Sequence, residues 1–184
     1  MSPPSVLIAG IGNLFLGDDA FGCEVLKHLS QRAWPDNVRA FDFGIRGFDL
    51  VFVLMEGIDL TIFVDTVRRG GAPGTLYVIE PDLDELETLD SGAMVIETHG
   101  MDPMRVLSLV KSMDGKLNKV MLVGCEPETF GPEEGLIGLS DAVASAVPEA
   151  VKLVESLVAK HLETPAQKIK NEVKGRFDIG FISA

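Results

Sequence analysis

The sequence predicts an α/β fold, a three-layer α/β/α sandwich around a mixed, mostly parallel sheet of about five strands. Short apolar runs typical of strands buried on both faces alternate along the chain with stretches of helical periodicity. One connection, through the glycines at 70–74, is too short for a parallel crossover and therefore predicts an antiparallel neighbour. The predicted strands are the run before Gly10, Val38 to Asp42, Leu60 to Val64, Thr75 to Ile79 and Lys119 to Gly124.

Four helices are expected between and after these strands. The first begins near Phe21, where apolar residues recur at helical spacing, and the second is a short apolar helix over 48–55. Asp102 is suited to cap the third helix, with Pro103 at its first position. Valines at helical spacing predict a long fourth helix that opens at Ser140.

Composition and charge narrow the class of protein. Of 184 residues, 46% are hydrophobic and 24% charged, which predicts one compact domain over 1–162, followed by a C-terminal tail over 163–184 without periodicity. A net charge of −12 argues against nucleic acid and anionic membrane surfaces as partners. No apolar run approaches the roughly 18 residues of a membrane helix, so a cytoplasmic protein without membrane insertion is expected. Cys23 and Cys125 are interpreted as packing residues.

Two adjacent acids follow the first predicted strand. Asp18 and Asp19 stand after a glycine-containing loop, where the first helix starts. Asp18 is predicted to be its N-cap, which leaves Asp19 free to face the carboxyl edge of the sheet, where ligands usually bind. Asp65 ends the third predicted strand, and His99 lies in the loop before the third helix. If these loops share one edge, two carboxylates and one imidazole form a site suited to a divalent metal with open positions.

Each of these residues alone is more often a cap or a solvated loop residue, and two other sites remain open. A dinucleotide site is suggested by the glycine loop and by Asp42 at the end of the second strand. The pattern fits poorly, because Phe15 stands at the third glycine position and two acids occupy the helix start where a pyrophosphate would bind. A thiol hydrolase using Cys125 and His99 is a third, weaker alternative.

Several ordered motifs together resemble the nickel-iron hydrogenase maturation proteases. The motifs are Gly10-Ile11-Gly12-Asn13 through Gly17-Asp18-Asp19-Ala20-Phe21-Gly22, Asp42 through Gly47, Ile62-Phe63-Val64-Asp65, Pro73-Gly74-Thr75, Thr98-His99 and Leu122-Val123-Gly124 through Pro127-Glu128. The resemblance covers roughly residues 5 to 160. Two departures stand out: many relatives have glutamate at the position of Asp19, and this chain has Phe43 and Ile45-Arg46 where small residues are common.

The resemblance implies an endopeptidase that removes the C-terminal extension of the nickel-loaded precursor of a hydrogenase large subunit. Nickel would arrive on the substrate, with Asp19, Asp65 and His99 completing its coordination and serving as the catalytic residues. No tightly bound metal is expected in the resting enzyme. Gly44, Arg46 and Gly47 are the positions implied for substrate binding. A chaperone that binds the metal-loaded precursor without cutting it is the alternative from another class.

Overall fold

The computed structural model describes residues 3–86 and 102–163, and this part of the chain alternates strands and helices. The strands are β1 (Val6–Ile11), β2 (Val38–Gly44), β3 (Leu60–Thr66), β4 (Leu76–Ile79) and β5 (Lys119–Cys125). The helices are α1 (Phe21–Leu29), α2 (Gly47–Leu54), α3 (Pro103–Ser112) and α4 (Asp141–Glu163). A short 3₁₀ turn, Gly17–Ala20, connects the loop after β1 to α1.

The described strands form one sheet in the order β2-β1-β3-β5-β4. β1 pairs in parallel with β2 and β3, and β3 in parallel with β5. β4 is antiparallel and pairs with β5, from Leu76 opposite Cys125 to Ile79 opposite Leu122. The mixed, mostly parallel sheet is confirmed, but the expectation that β4 lies beside β3 is wrong. β5 occupies that place and separates β4 from β3.

Helices cover both faces of the sheet, as the three-layer prediction requires. Alternate residues of β1 show this directly, since Val6 and Ile8 pack in one core cluster whereas Leu7 and Ala9 pack in the other. α1 and α4 contribute to the first cluster, and α2 and α3 to the second. A strand covered on both sides has no polar face, which explains the continuous apolar runs in the sequence.

Glycine allows α1 to pack closely against the sheet. A Cβ added at Gly22 would lie 2.1 Å from the carbonyl oxygen of Ile11 and 2.2 Å from that of Val64. Gly12 has φ +139°, and a Cβ there would lie 1.8 Å from the carbonyl oxygen of Asp19. The start of α1 and the turn before it are therefore fixed directly against the ends of β1 and β3.

The carboxyl ends of β1 and β3 meet at the switch point of the sheet. The chain runs from β1 to β2 on one side of the pair and from β3 to β4 and β5 on the other side, so the connections diverge between β1 and β3. Such a divergence leaves a crevice at the carboxyl edge, where α/β proteins bind ligands. Asp19 follows β1 and Asp65 is the penultimate residue of β3, so both lie near this crevice.

The start of α3 agrees with the sequence prediction. Asp102 caps α3 as expected, since its carboxylate accepts a hydrogen bond from the Met104 amide at 2.8 Å.

His99 and the predicted tail beyond Glu163 lie outside the described residues. Within 3–86 and 102–163, no helix combines the length and the apolar character that crossing a bilayer requires.

Candidate active site

Asp19 sits in the 3₁₀ turn after β1, and its carboxylate is held from the preceding loop. The backbone amide of Asn13 donates a hydrogen bond to Asp19 Oδ2 at 2.9 Å. The Asp19 side chain is half-buried. This contact leaves the second carboxylate oxygen, Oδ1, directed toward the end of β3, where Thr66 approaches it.

Thr66 links the two candidate carboxylates. Its backbone amide donates to Asp65 Oδ1 at 2.7 Å, and its hydroxyl lies 3.5 Å from Asp19 Oδ1. Asp65 is a buried residue with 8% of its surface exposed. The structure therefore brings together two of the three residues that the sequence predicted, the one after β1 and the one at the end of β3.

Burial makes ionisation of this pair unfavourable. It raises the pKa of Asp65 well above the usual value, and the neighbouring charge of Asp19 raises that pKa further. Burial also raises the pKa of Asp19, although the hydrogen bonds from Asn13 and Thr66 act to lower it. Raised pKa values in a crevice are typical of carboxyl groups that bind a cation or exchange a proton.

The predicted imidazole cannot be placed beside the two carboxylates, because His99 lies outside the described residues. Within the described ranges, no group of three His, Cys, Asp or Glu side chains is arranged to hold a metal ion. Asp102, three residues after His99, is close enough for its charge to contribute to the raised pKa of Asp65. The start of α3 at Asp102 is therefore near Asp65.

Asp18 has a different environment from the one predicted. It is fully buried and makes no helix cap, and the residue that precedes the 3₁₀ turn is Leu16. Its carboxylate instead accepts hydrogen bonds from the amides of Glu128 (2.8 Å), Thr129 (2.9 Å) and Ser140 (2.7 Å), and from the Ser140 hydroxyl (3.0 Å). Burial opposes ionisation of Asp18, but these hydrogen bonds outweigh it and lower the pKa. The N-cap prediction is wrong, because the donors come from the distant loop between β5 and α4.

The loop after β2 is stabilised by contacts within itself. The Gly44 amide donates to Asp42 Oδ1 at 2.9 Å, and Gly44 has φ +54°. The Arg46 guanidinium donates to the backbone carbonyls of Phe43 (3.2 Å) and Asp42, and lies 3.7 Å from the Asp49 carboxylate. Gly47 begins α2. The side chain of Arg46 remains largely exposed, so the loop presents a cation beside the crevice while its backbone stays ordered.

The two cysteines lie in environments that suppress thiolate formation. Burial is the main cause that raises the pKa of Cys23. The charge of Asp42 raises it further, and the charges of Asp19 and Asp65 add to this effect. Cys23 is buried, and its thiol lies 3.6 Å from the Gly12 carbonyl. Burial raises the pKa of Cys125 to about 12. Since the thiolate is the nucleophile, neither residue suits a thiol hydrolase, and the packing interpretation is favoured.

The structure also accounts for the glycines that suggested a dinucleotide site. Gly10 provides space for Leu26 of α1, because a Cβ there would lie 2.7 Å from Leu26 Cγ. Together with Gly12 and Gly22 it serves close packing of strand, turn and helix. The two acids of the 3₁₀ turn stand between β1 and α1. A site for pyrophosphate at the start of α1 is therefore disfavoured.

Sequence reasoning missed the groups that orient the acids. Asn13 and Thr66 act partly through backbone amides, which leave no signature in side-chain identity. Ser140 was noted only as a helix start, although its hydroxyl binds Asp18. One available signal was position, because Asn13 lies two residues after β1 and Thr66 is the last residue of β3, and both strands were predicted.

Comparison with known proteins identifies the family. Residues 23–157 match the family described as hydrogenase maturation protease. A hydrogenase expression/formation protein of Azotobacter chroococcum, HupM, is 33% identical over 172 residues, covering 90% of this chain and 78% of its own. The match of 23–157 begins after Asp19, so it does not itself include both carboxylates.

Two solved structures share the fold. The hydrogenase maturating endopeptidase HybD of Escherichia coli superposes with a TM-score of 0.65 at 26% identity, over 85% of this chain and 93% of that one. A hydrogenase 2 maturation peptidase from a Thaumarchaeota archaeon gives a TM-score of 0.63 at 32% identity, over 84% of this chain and 98% of that one. With a family match over most of its length, the chain belongs to the hydrogenase maturation proteases.

Proposed function

We propose that this protease removes the C-terminal extension from the nickel-loaded precursor of a nickel-iron hydrogenase large subunit. The observation that carries the proposal is the carboxylate pair Asp19 and Asp65, joined through Thr66 at the switch point of the sheet. The family supplies the reaction class, and the pair supplies acidic groups at the place where an α/β protein binds its substrate.

Nickel enters this proposal as part of the substrate. Two carboxylates and one imidazole would complete the coordination of an ion already held by the precursor, since nickel accepts both oxygen and imidazole ligands. A separation of three residues, at most about 11 Å, would allow a histidine at position 99 to reach the pair, since the charge of Asp102 acts on Asp65. A protease that contributes only part of the coordination shell holds metal weakly when the precursor is absent.

The residues of this chain have two tasks in the proposed cleavage. Asp19 and Asp65 bind the metal-bearing end of the precursor, and their raised pKa values allow one carboxyl group to accept or return a proton during hydrolysis. The amides of Asn13 and Thr66 keep the two groups oriented. The substrate's nickel would supply polarisation of the scissile carbonyl or of the attacking water.

Cleavage of the precursor tests this function. Nickel-loaded large-subunit precursor incubated with the wild-type protein should release a short C-terminal peptide, detected by intact-mass spectrometry of both fragments. A precursor whose mass is unchanged despite a stable complex would identify a chaperone and contradict the proposal. The two outcomes are separated by mass alone, so the test does not depend on the rate.

Nickel-free precursor provides the matched control for metal recognition. The peptide sequence is complete in that sample, but the ligand set has no cation to bind, so the precursor should remain uncut. Equal cleavage of loaded and nickel-free precursor would leave the protease activity intact and contradict the role of nickel. Addition of nickel to the nickel-free precursor should restore its cleavage.

A further inference from the structure

Two loops at the carboxyl edge of the sheet are joined to form one surface. Leu16 and Leu136 form a parallel bridge, in which the Gly17 amide donates to the Leu136 carbonyl at 2.7 Å and the Leu136 amide to the Phe15 carbonyl at 2.8 Å. The Asp18 amide adds a hydrogen bond to the Thr129 carbonyl at 3.0 Å. The loop after β1 therefore has a fixed position against the loop between β5 and α4.

Two apolar side chains next to the bridge are exposed. Phe15 directly precedes Leu16 and Ile137 directly follows Leu136, so the two residues flank the bridge that joins the loops. Leu136 packs over Gly17 and Gly131 within the joined loops. Phe15 is 65% exposed and Ile137 is 81% exposed. We call these two side chains the Phe15–Ile137 patch.

The patch is ordered before any partner binds. The buried Asp18 carboxylate, in the turn after β1, accepts hydrogen bonds from the amides of Glu128 and Thr129 on the other loop and from the amide of Ser140 just before α4. An apolar surface on an ordered loop loses little conformational entropy when it is covered, which favours its use in binding. Large apolar side chains that a fold fixes in this exposed position are typical of a binding surface.

Phe15 belongs to the loop that holds Asp19. It lies between Asn13, whose amide binds Asp19, and the 3₁₀ turn that carries Asp19 itself. A polypeptide bound at Asp19 would therefore pass close to this loop.

The charge around the patch specifies its partner. The stretches 10–26 and 126–151 contain no lysine or arginine, and Glu133 and Glu134 are exposed beside Ile137. The guanidinium of Arg68 approaches from another loop and lies 4.5 Å from the ring of Phe130. The surroundings of Phe15 and Ile137 are therefore predominantly acidic, which complements a cationic segment.

We propose that the Phe15–Ile137 patch docks a segment of the precursor that combines apolar side chains with basic neighbours, next to the bond that is cut. This inference rests on the proposed function, because it takes the precursor as the occupant. The carboxylate pair then binds the metal-bearing end, and the patch fixes the direction in which the substrate chain leaves it. Recognition of the substrate is then divided between the carboxylate pair and the Phe15–Ile137 patch.

Steady-state cleavage of nickel-loaded precursor tests the patch. The double variant Phe15→Ser/Ile137→Ser should raise KM about tenfold or more with kcat within about twofold, because two apolar contacts are lost before the chemical step. Phe52→Ser is the matched control, since Phe52 is 64% exposed but lies on α2, which packs on the opposite face of the sheet. Its KM should equal that of the wild type.

A second pair of variants tests the charge. Glu133→Gln/Glu134→Gln should raise KM by about threefold and weaken its dependence on salt, because exposed charges act through screened attraction. If the double serine variant melts early, Ile137→Ser alone, at the more exposed side chain, should still raise KM about threefold.

The outcomes separate this inference from the proposed function. A wild-type protein that releases no peptide contradicts the function, whereas wild-type cleavage with an unchanged KM in Phe15→Ser/Ile137→Ser overturns the patch alone. A concentration-dependent dimer of the wild type that the double variant converts to monomer, at constant KM, would identify a second copy as the occupant. That result, measured by sedimentation, also overturns the proposal.

Discussion

Asp18 and Ser140, 122 residues apart in sequence, form the closest polar link between the 3₁₀ turn and the start of α4. The Asp18 carboxylate accepts from the Ser140 amide at 2.7 Å and from its hydroxyl at 3.0 Å. The same carboxylate binds the amides of Glu128 and Thr129. One buried side chain therefore satisfies three backbone donors and fixes the turn that presents Asp19.

Asp18→Ala should lower the free energy of unfolding by at least about 3 kcal/mol. The substitution leaves three partly buried backbone amides without an acceptor, and each such loss costs roughly 1–3 kcal/mol. Urea unfolding at neutral pH measures the change. The matched control is Asp141→Ala, because Asp141 is an exposed acid in the first turn of α4 and should cost only about 0.5 kcal/mol.

A loss below about 1 kcal/mol for Asp18→Ala would match a local helix cap and contradict the structural role. Ser140→Ala gives an intermediate point, since it removes the hydroxyl but keeps the amide. It should cost about 1 kcal/mol.

The pattern of buried strands was sufficient to predict the three-layer fold. Leu60 to Val64 could only be a strand covered on both faces, and Asp65 followed as the residue at its end. The order of the strands in the sheet was harder to predict from the sequence. β4 pairs with β5 because β5, which follows α3, inserts beside β3, and local spacing around 70–74 carries no information on a strand that begins at Lys119.

The sequence predicted that Asp19 and Asp65 lie at one edge of the sheet, but it did not predict the contacts that orient them. Asp19 and Asp65 were identified because each follows a strand at the same edge. Asp18 was misassigned because its sequence position resembles a cap, whereas its partners lie more than 100 residues away. Asn13 and Thr66 orient the acids through backbone amides, which any residue possesses, so only the structure reveals their role.

Glu126 should make the protein sensitive to acid. Burial acts to raise its pKa, but hydrogen bonds from the amides of Arg69 and Gly70 and from the Tyr77 hydroxyl lower it below the ordinary value of 4.5. The folded state then holds the proton more weakly than the unfolded state. The stabilisation is complete above that ordinary value and is lost as the pH falls through the lowered pKa.

Comparison with Glu126→Gln isolates this contribution. The variant cannot titrate at position 126, so the wild type should exceed it in stability at about pH 6, with the difference shrinking toward about pH 3. Urea midpoints measured across that range provide the test. A difference that stays constant with pH would show that the charge of Glu126 contributes nothing.

Gly22→Ala should destabilise the fold by at least about 2–3 kcal/mol. The added Cβ would lie within 2.2 Å of two backbone oxygens, from Ile11 and Val64, so α1 must move away from the sheet. Gly57→Ala is the control, because a Cβ at Gly57 would meet no atom within 4 Å. Its only cost comes from the backbone φ of +77°. Its cost should be about 1 kcal/mol. Equal melting temperatures for the two variants would contradict the close packing of α1.

Asp65→Asn should abolish processing without lowering the melting temperature at neutral pH. The carboxylate of Asp65 is buried beside Asp19, so replacement by a neutral amide of the same shape removes an unfavourable charge. Cleavage of the nickel-loaded precursor and a thermal melt measure the two effects. Asp36→Asn, at an exposed acid in the loop before β2, should leave both unchanged. A variant that is inactive because it has unfolded would not support the assignment.

Two substitutions of Asp19 separate the effect of its charge from the effect of its side-chain length. Asp19→Asn preserves the side-chain shape near the Asn13 amide but removes the negative charge, so it should abolish processing while the protein remains folded. Asp19→Glu preserves the charge on a longer side chain, and the nearby backbone leaves the turn little freedom to adjust, because Gly12 already packs directly against the Asp19 carbonyl. Partial activity is therefore expected for Asp19→Glu, with kcat reduced about 10–100-fold. Cleavage assays on nickel-loaded precursor, with melts of each variant, give the comparison. An active Asp19→Asn enzyme would show that this carboxylate neither binds the metal-bearing substrate nor transfers a proton.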